Sequence, residues 1–129
     1  MTIYNMDAFI AGVWDWAILD GCFGDTRIRP TDIDGLTERK GKFLLLEAKQ
    51  SGVKIPMGQQ LTFNALRNTG LFTIIIMWGE QNKPEAIEIL YPAPYPVKKQ
   101  HPAGMAELRE IVSRWYGYAD KGSNLYLED

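Results

Sequence analysis

Asp34, Glu47 and Lys49 are the residues whose types and spacing could do chemistry together. Thr31 to Thr37 and Phe43 to Lys49 flank the polar, glycine-containing stretch Glu38-Arg39-Lys40-Gly41-Lys42, a pattern that predicts a β-hairpin. With a loop of two residues (Lys40-Gly41) or four (Arg39 to Lys42), paired residues have numbers summing to 81. Asp34 then faces Glu47, and Asp32 faces Lys49. Directly opposed side chains share a sheet face, with Cβ atoms roughly 4.5–5.5 Å apart, and residues two apart on a strand share it too. Three carboxylates and one ammonium thus fall in one patch. A three-residue loop with a glycine bulge would put Asp34 and Glu47 on opposite faces, so the expected site depends on this register.

Like charges at Asp34 and Glu47 repel unless a cation or a proton lies between them. A pair of carboxylates suits a hard divalent ion, magnesium or manganese, that keeps several waters and takes further oxygens from a phosphate. The backbone carbonyl of Ala48 offers a third protein oxygen. Lys49, one step along the same face, can orient a water and steady charge on a phosphoryl oxygen. Glu and Lys two apart on a strand are common decoration of a solvated face. Here they end a strand that otherwise reads Phe43-Leu44-Leu45-Leu46, apolar on both faces, as a central strand is.

Further elements position this hairpin. Asn5 is expected to cap a short helix carrying Phe9, Ile10, Val13 and Trp14 at helical spacing. Met57 to Thr69 reads as a helix, preceded by Pro56 and stopped by Gly70. Phe72 to Trp78 is a second strand apolar on both faces, ended by Gly79, and Ala86 to Tyr91 is a further strand. Pro92, Pro94 and Pro96 enforce an extended connection. From Ala103, the residues Met105, Leu108, Val112 and Trp115 make one stripe of a final helix. The order is helix, strand, strand, helix, strand, strand, helix: an α/β fold with a mixed central sheet, in one domain spanning 1–129.

Arg29-Pro30-Thr31-Asp32-Ile33-Asp34-Gly35-Leu36, then Phe43 to Lys49 ending in Glu47-Ala48-Lys49, resembles the signature of the PD-(D/E)XK nuclease superfamily. The separation of Asp34 from Glu47 is similar to that in Holliday-junction resolvases. Pro56-Met57-Gly58-Gln59-Gln60-Leu61 is similar to the glutamine helix of stand-alone VRR-NUC domains. The resemblance covers about Arg29 to Met77. It implies a restriction-endonuclease-like αβββαβ-type core and metal-dependent cleavage of nucleic acid, with magnesium or manganese held by Asp34 and Glu47. It also implies that Lys49 and one glutamine stand beside the metal. Proline stands two before Asp32 and four before Asp34, so the literal Pro-Asp pair is absent; Asp34 is preferred because it alone pairs with Glu47.

For that glutamine, Gln59 falls between Phe63 and Leu66 on an apolar arc, while Gln60 falls with Asn64 and Arg67 on a polar one. An amide on an apolar arc needs a specific partner. Gln59 is therefore taken as the catalytic amide, a choice that also matches the family's Gln-x-x-x-aromatic spacing through Phe63. Gln60 and Arg67 suit phosphate or sugar contacts. The family often adds an acid from its first helix; Asp7, Asp15 and Asp20 are candidates and spacing does not separate them.

Composition bounds the rest. The single cysteine, Cys22, is expected in the core of a reducing compartment, as are most of Trp14, Trp16, Trp78 and Trp115. One histidine, His101, excludes multi-histidine zinc chemistry. The N-terminal stretch reads as neither signal peptide nor membrane span, so no membrane partner and a cytoplasmic address are expected. A net charge of −2 disfavours a sequence-independent DNA coat protein but not an enzyme with a local basic strip. DNA is the expected partner, RNA stays open, and a homodimer is an expectation by analogy alone. The alternative is a non-catalytic binding module on the same fold.

Overall fold

The computed structural model describes residues 6–126. They fall into two compact units, one reaching to Asp32 and one beginning at Ile33.

In the first unit, helix α1 (Met6–Ala11) is followed by a 3-10 turn, Trp16–Leu19. Asn5, the expected cap, lies outside the described residues. Asp15 caps the 3-10 turn by accepting from the Ala17 N–H at 2.9 Å. Arg29 grips both oxygens of Asp20, at 2.9 and 2.7 Å. The hydrogen bond from Arg29, with its positive charge, holds the Asp20 carboxyl below the usual carboxylate range. Neither Trp14 (70% exposed) nor Cys22 is a core residue, contrary to expectation. A six-residue helix buries nothing, and Gly21 and Gly24, both at positive φ, break the following chain into turns. No apolar face long enough to enclose them forms.

The second unit is an α/β structure. Its strands are β1 (Gly35–Arg39), β2 (Lys42–Lys49), β3 (Phe72–Glu80), β4 (Lys83–Leu90) and β5 (Lys98–Pro102). Helix α2 (Met57–Asn68) joins β2 to β3, and α3 (Met105–Lys121) ends the fold. The five strands lie in sequence order in one mixed sheet, with β2 and β3 parallel and every other pair antiparallel. A parallel pair needs a long crossover, which α2 supplies.

Side chains alternate across the sheet, and each face has its own core. Leu44, Ile75, Ile87 and Ile89 pack with Ile111, Trp115 and Ala119 of α3. Leu45, Ile74, Ile76, Trp78 and Leu90 pack with Phe63 of α2. The expected α3 stripe holds at Leu108, Val112 and Trp115, which pack on the α3-side core beside Ile111 and Ala119; only its first member, Met105, stays exposed.

The β1–β2 loop is Lys40-Gly41, both at positive φ, as a two-residue type I′ turn requires. Gly35↔Leu46 through Arg39↔Lys42 all sum to 81, which is the expected register. Arg39 and Lys40 both bind Asp120 of α3, the Arg39 Nε at 2.8 Å. Arg39 lies over Tyr116, and Lys42 over Tyr118. These contacts tie the tip of the edge hairpin to the helix.

Three departures have local causes. Strand β1 begins at Gly35, not Thr31, so Asp32 is outside the ladder and does not pair with Lys49. Asp32 belongs to the first unit, where it accepts from the Trp16 indole at 2.9 Å. Gly79 does not end β3. It sits in a bulge at φ +154°, and a Cβ there would lie 2.2 Å from the Lys83 carbonyl oxygen. Strand β5, Lys-Lys-Gln-His-Pro, is a fifth strand beyond the four expected. It is a polar edge strand, and edge strands favour lysine over an apolar pattern.

Candidate metal centre at the end of the central strand

The centre is built where β2 leaves the core. Glu47 follows Leu44, Leu45 and Leu46 and is only 4% exposed, the one buried carboxylate among the described residues. A buried carboxylate is costly unless partnered. Glu47 Oε2 forms an ion pair with Lys49 Nζ at 3.0 Å and accepts a hydrogen bond from Gln59 Nε2 at 2.9 Å. Lys49 is two residues along the same strand, and Gln59 lies in the first turn of α2. Pro56, which lacks an N–H, starts that helix so that Gln59 meets the strand end.

This leaves Glu47 Oε1 and Gln59 Oε1 buried without a hydrogen-bond partner. Both are acceptors, and each unsatisfied buried acceptor costs roughly 1–3 kcal/mol. Such atoms call for a cation or for donors from a ligand.

Asp34 stands one residue beyond the last ladder pair, Gly35↔Leu46, and Glu47 is the next residue of β2. Asp34 Oδ2 accepts from the Ala48 N–H at 2.8 Å, which fixes its carboxylate against the same strand end. The N–H and C=O of a strand residue face the same neighbour. The Ala48 carbonyl therefore leaves β2 on the edge where Asp34 sits. The available donors are hard oxygens only: Asp34, Glu47 and Ala48. Among the described residues, no group of three or more His, Cys, Asp or Glu side chains gathers to hold an ion. Hard oxygen donors of this kind are the ones a hard divalent ion takes.

The structure thus brings Asp34, Glu47, Ala48, Lys49 and Gln59 to one strand end. It does not bring Gln60 or Arg67 there. Gln60 turns its amide to the Ile55 carbonyl at 2.9 Å. Arg67 lies near the other end of α2, where its Nε donates to the Tyr91 carbonyl at 2.8 Å and its Nη2 to that of Tyr95. Those bonds hold the chain after β4. Of the N-terminal acids, Asp15 and Asp20 have the local partners already described.

Trp78 was expected only as core. It is the register partner of Lys49, and its indole N–H donates to the Val53 carbonyl at 2.7 Å, holding the β2–α2 loop. Glu88 belongs to no motif in the sequence; it stands between buried Ile87 and Ile89, where alternation points it at the α2 face.

No family model matches the chain, and neither a curated protein nor a solved structure matches it. No described helix is long and apolar enough to cross a membrane.

Proposed function

We propose that the chain is a magnesium- or manganese-dependent nuclease of the PD-(D/E)XK type, hydrolysing phosphodiester bonds of DNA. The observation that carries this reading is Glu47: a carboxylate buried at the end of a central strand, with one oxygen held by Lys49 and Gln59 and the other unpartnered. A merely structural ion pair would have no use for the orphaned oxygen.

Asp34, Glu47 and the Ala48 carbonyl would hold the ion, which when bound would supply Lewis acidity toward the phosphate and the attacking water. Lys49 orients that water and offsets charge growing on the phosphoryl oxygens. Gln59 contributes its amide oxygen as a further acceptor for the water. The water oxygen bonds to phosphorus, and the bond from phosphorus to the leaving sugar oxygen breaks. The proton lost by the water is balanced by one gained by the leaving oxygen. No covalent enzyme intermediate is needed.

The test is cleavage of plasmid and single-stranded DNA with magnesium, manganese or EDTA, beside calorimetric titration of magnesium. Cleavage restored by either ion after EDTA supports the reading. Magnesium binding with no cleavage of DNA or RNA would leave a binding module instead.

A further inference from the structure

A cleft of about 480 Å³ opens on the α2 face of the sheet, next to the candidate centre. Ile76, Trp78 and Leu90 line it from the sheet and Phe63 from α2. Two of these are register partners of the centre: Ile76 of Glu47, and Trp78 of Lys49. Ile76 is in turn opposite Glu88 on β4. Glu47, Ile76 and Glu88 therefore form a row across three strands on one face. Two interstrand spacings, roughly 10 Å, separate Glu47 from Glu88.

Glu88 is half-buried and lines the cleft, and its carboxylate has no hydrogen bond or ion pair among the described residues. A carboxylate kept partly from water without a partner calls for N–H donors. Asn64 and Gln100 bring amides to the rim, and Lys54 and Lys99 bring positive charge. Apolar walls, a carboxylate, amides and lysines together match a flat heterocycle with N–H donors joined to a phosphate.

We propose that this cleft receives an unpaired guanine of the strand being cut, beside the scissile phosphate, with Glu88 accepting from its N1–H and its N2 amino group. The proposal rests on the nuclease reading and names its substrate. Guanine offers two adjacent donors on its Watson–Crick edge, which a carboxylate with its pair of oxygens accepts together. Adenine, cytosine and thymine present no such pair. A base paired in a duplex cannot offer that edge, so the substrate is single-stranded or has the base extruded.

The test uses single-stranded thymidine oligomers carrying one guanine, adenine, cytosine or abasic position, with product ends mapped under single-turnover conditions. The expected result is cutting beside guanine, favoured roughly ten- to hundredfold over the abasic position. In Glu88→Gln, an isosteric change, that preference is lost while the rate beside the abasic position is unchanged. Equal cutting at all positions by the wild type, or a guanine preference that survives Glu88→Gln, overturns the proposal. Calorimetry with deoxyguanosine 5′-monophosphate in EDTA separates the two readings. Binding weakened about tenfold or more by Glu88→Gln, in a protein that cuts nothing, supports the cleft and removes the nuclease. Cutting without preference, and without binding of the mononucleotide, removes the cleft and leaves the nuclease.

Discussion

Gln59 Nε2 donates to Glu47 Oε2 across 2.9 Å, which ties the first turn of α2 to the end of the central strand. Its sequence neighbour Gln60 turns away to the Ile55 carbonyl. Gln59→Ala is therefore expected to lower kcat, because it frees the Glu47 carboxylate and removes the amide oxygen. Gln60→Ala is expected to act on KM, since that residue lines the neighbouring cleft. Steady-state kinetics of the two variants distinguishes them; a slow Gln60→Ala beside a normal Gln59→Ala would contradict this assignment.

Lys49 pairs with Glu47 at 3.0 Å and is mostly buried. If it orients the water and steadies the phosphoryl charge, Lys49→Ala lowers the single-turnover rate by roughly 10²–10⁴-fold. Magnesium affinity survives, because the carboxylates remain. Lys49→Arg restores little, since a planar fork does not replace a compact charge. A solvated strand lysine would instead change stability by no more than about 0.5 kcal/mol and leave the rate alone.

Arg67→Ala is expected to destabilise the fold by roughly 1–3 kcal/mol, because it strips donors from the Tyr91 and Tyr95 carbonyls. Urea denaturation measures this. The salt dependence of substrate binding should not change, whereas a phosphate contact would flatten it.

The hairpin and its site were largely legible in the sequence. Lys40-Gly41 fixes a tight turn, the turn fixes the register, and the register puts Asp34 beside Glu47. Glu47 stood out because a charge ended an apolar run. The polar strand β5 could not be read, since an edge strand buries too little to need alternation. The cleft at Glu88 is assembled from β3, β4, β5, α2 and the loop after β2, and no local pattern announces such a convergence. The exposure of Trp14 was equally hidden, because type alone says nothing about whether a partner surface forms.

Asp120 gives a pH signature. The hydrogen bond from Arg39, aided by Lys40, outweighs partial burial and holds its carboxyl below the usual 3.8. A carboxyl depressed in the folded state adds stability above its unfolded value, and that stability is lost as pH falls through the folded one. Asp120→Asn should therefore lower Tm at neutral pH. The gap from wild type should close as pH drops below the usual carboxylate range. A gap that persists unchanged in strong acid would contradict this.

The most direct test of the central claim is Glu47→Gln, followed by magnesium calorimetry and single-turnover DNA cleavage on the same preparation. The substitution keeps the shape of the side chain and removes the charge that the ion requires. A folded protein that neither binds magnesium nor cuts DNA is the predicted result. A Glu47→Gln variant that cuts as fast as the wild type, with its magnesium affinity intact, would show that the ion and the chemistry lie elsewhere.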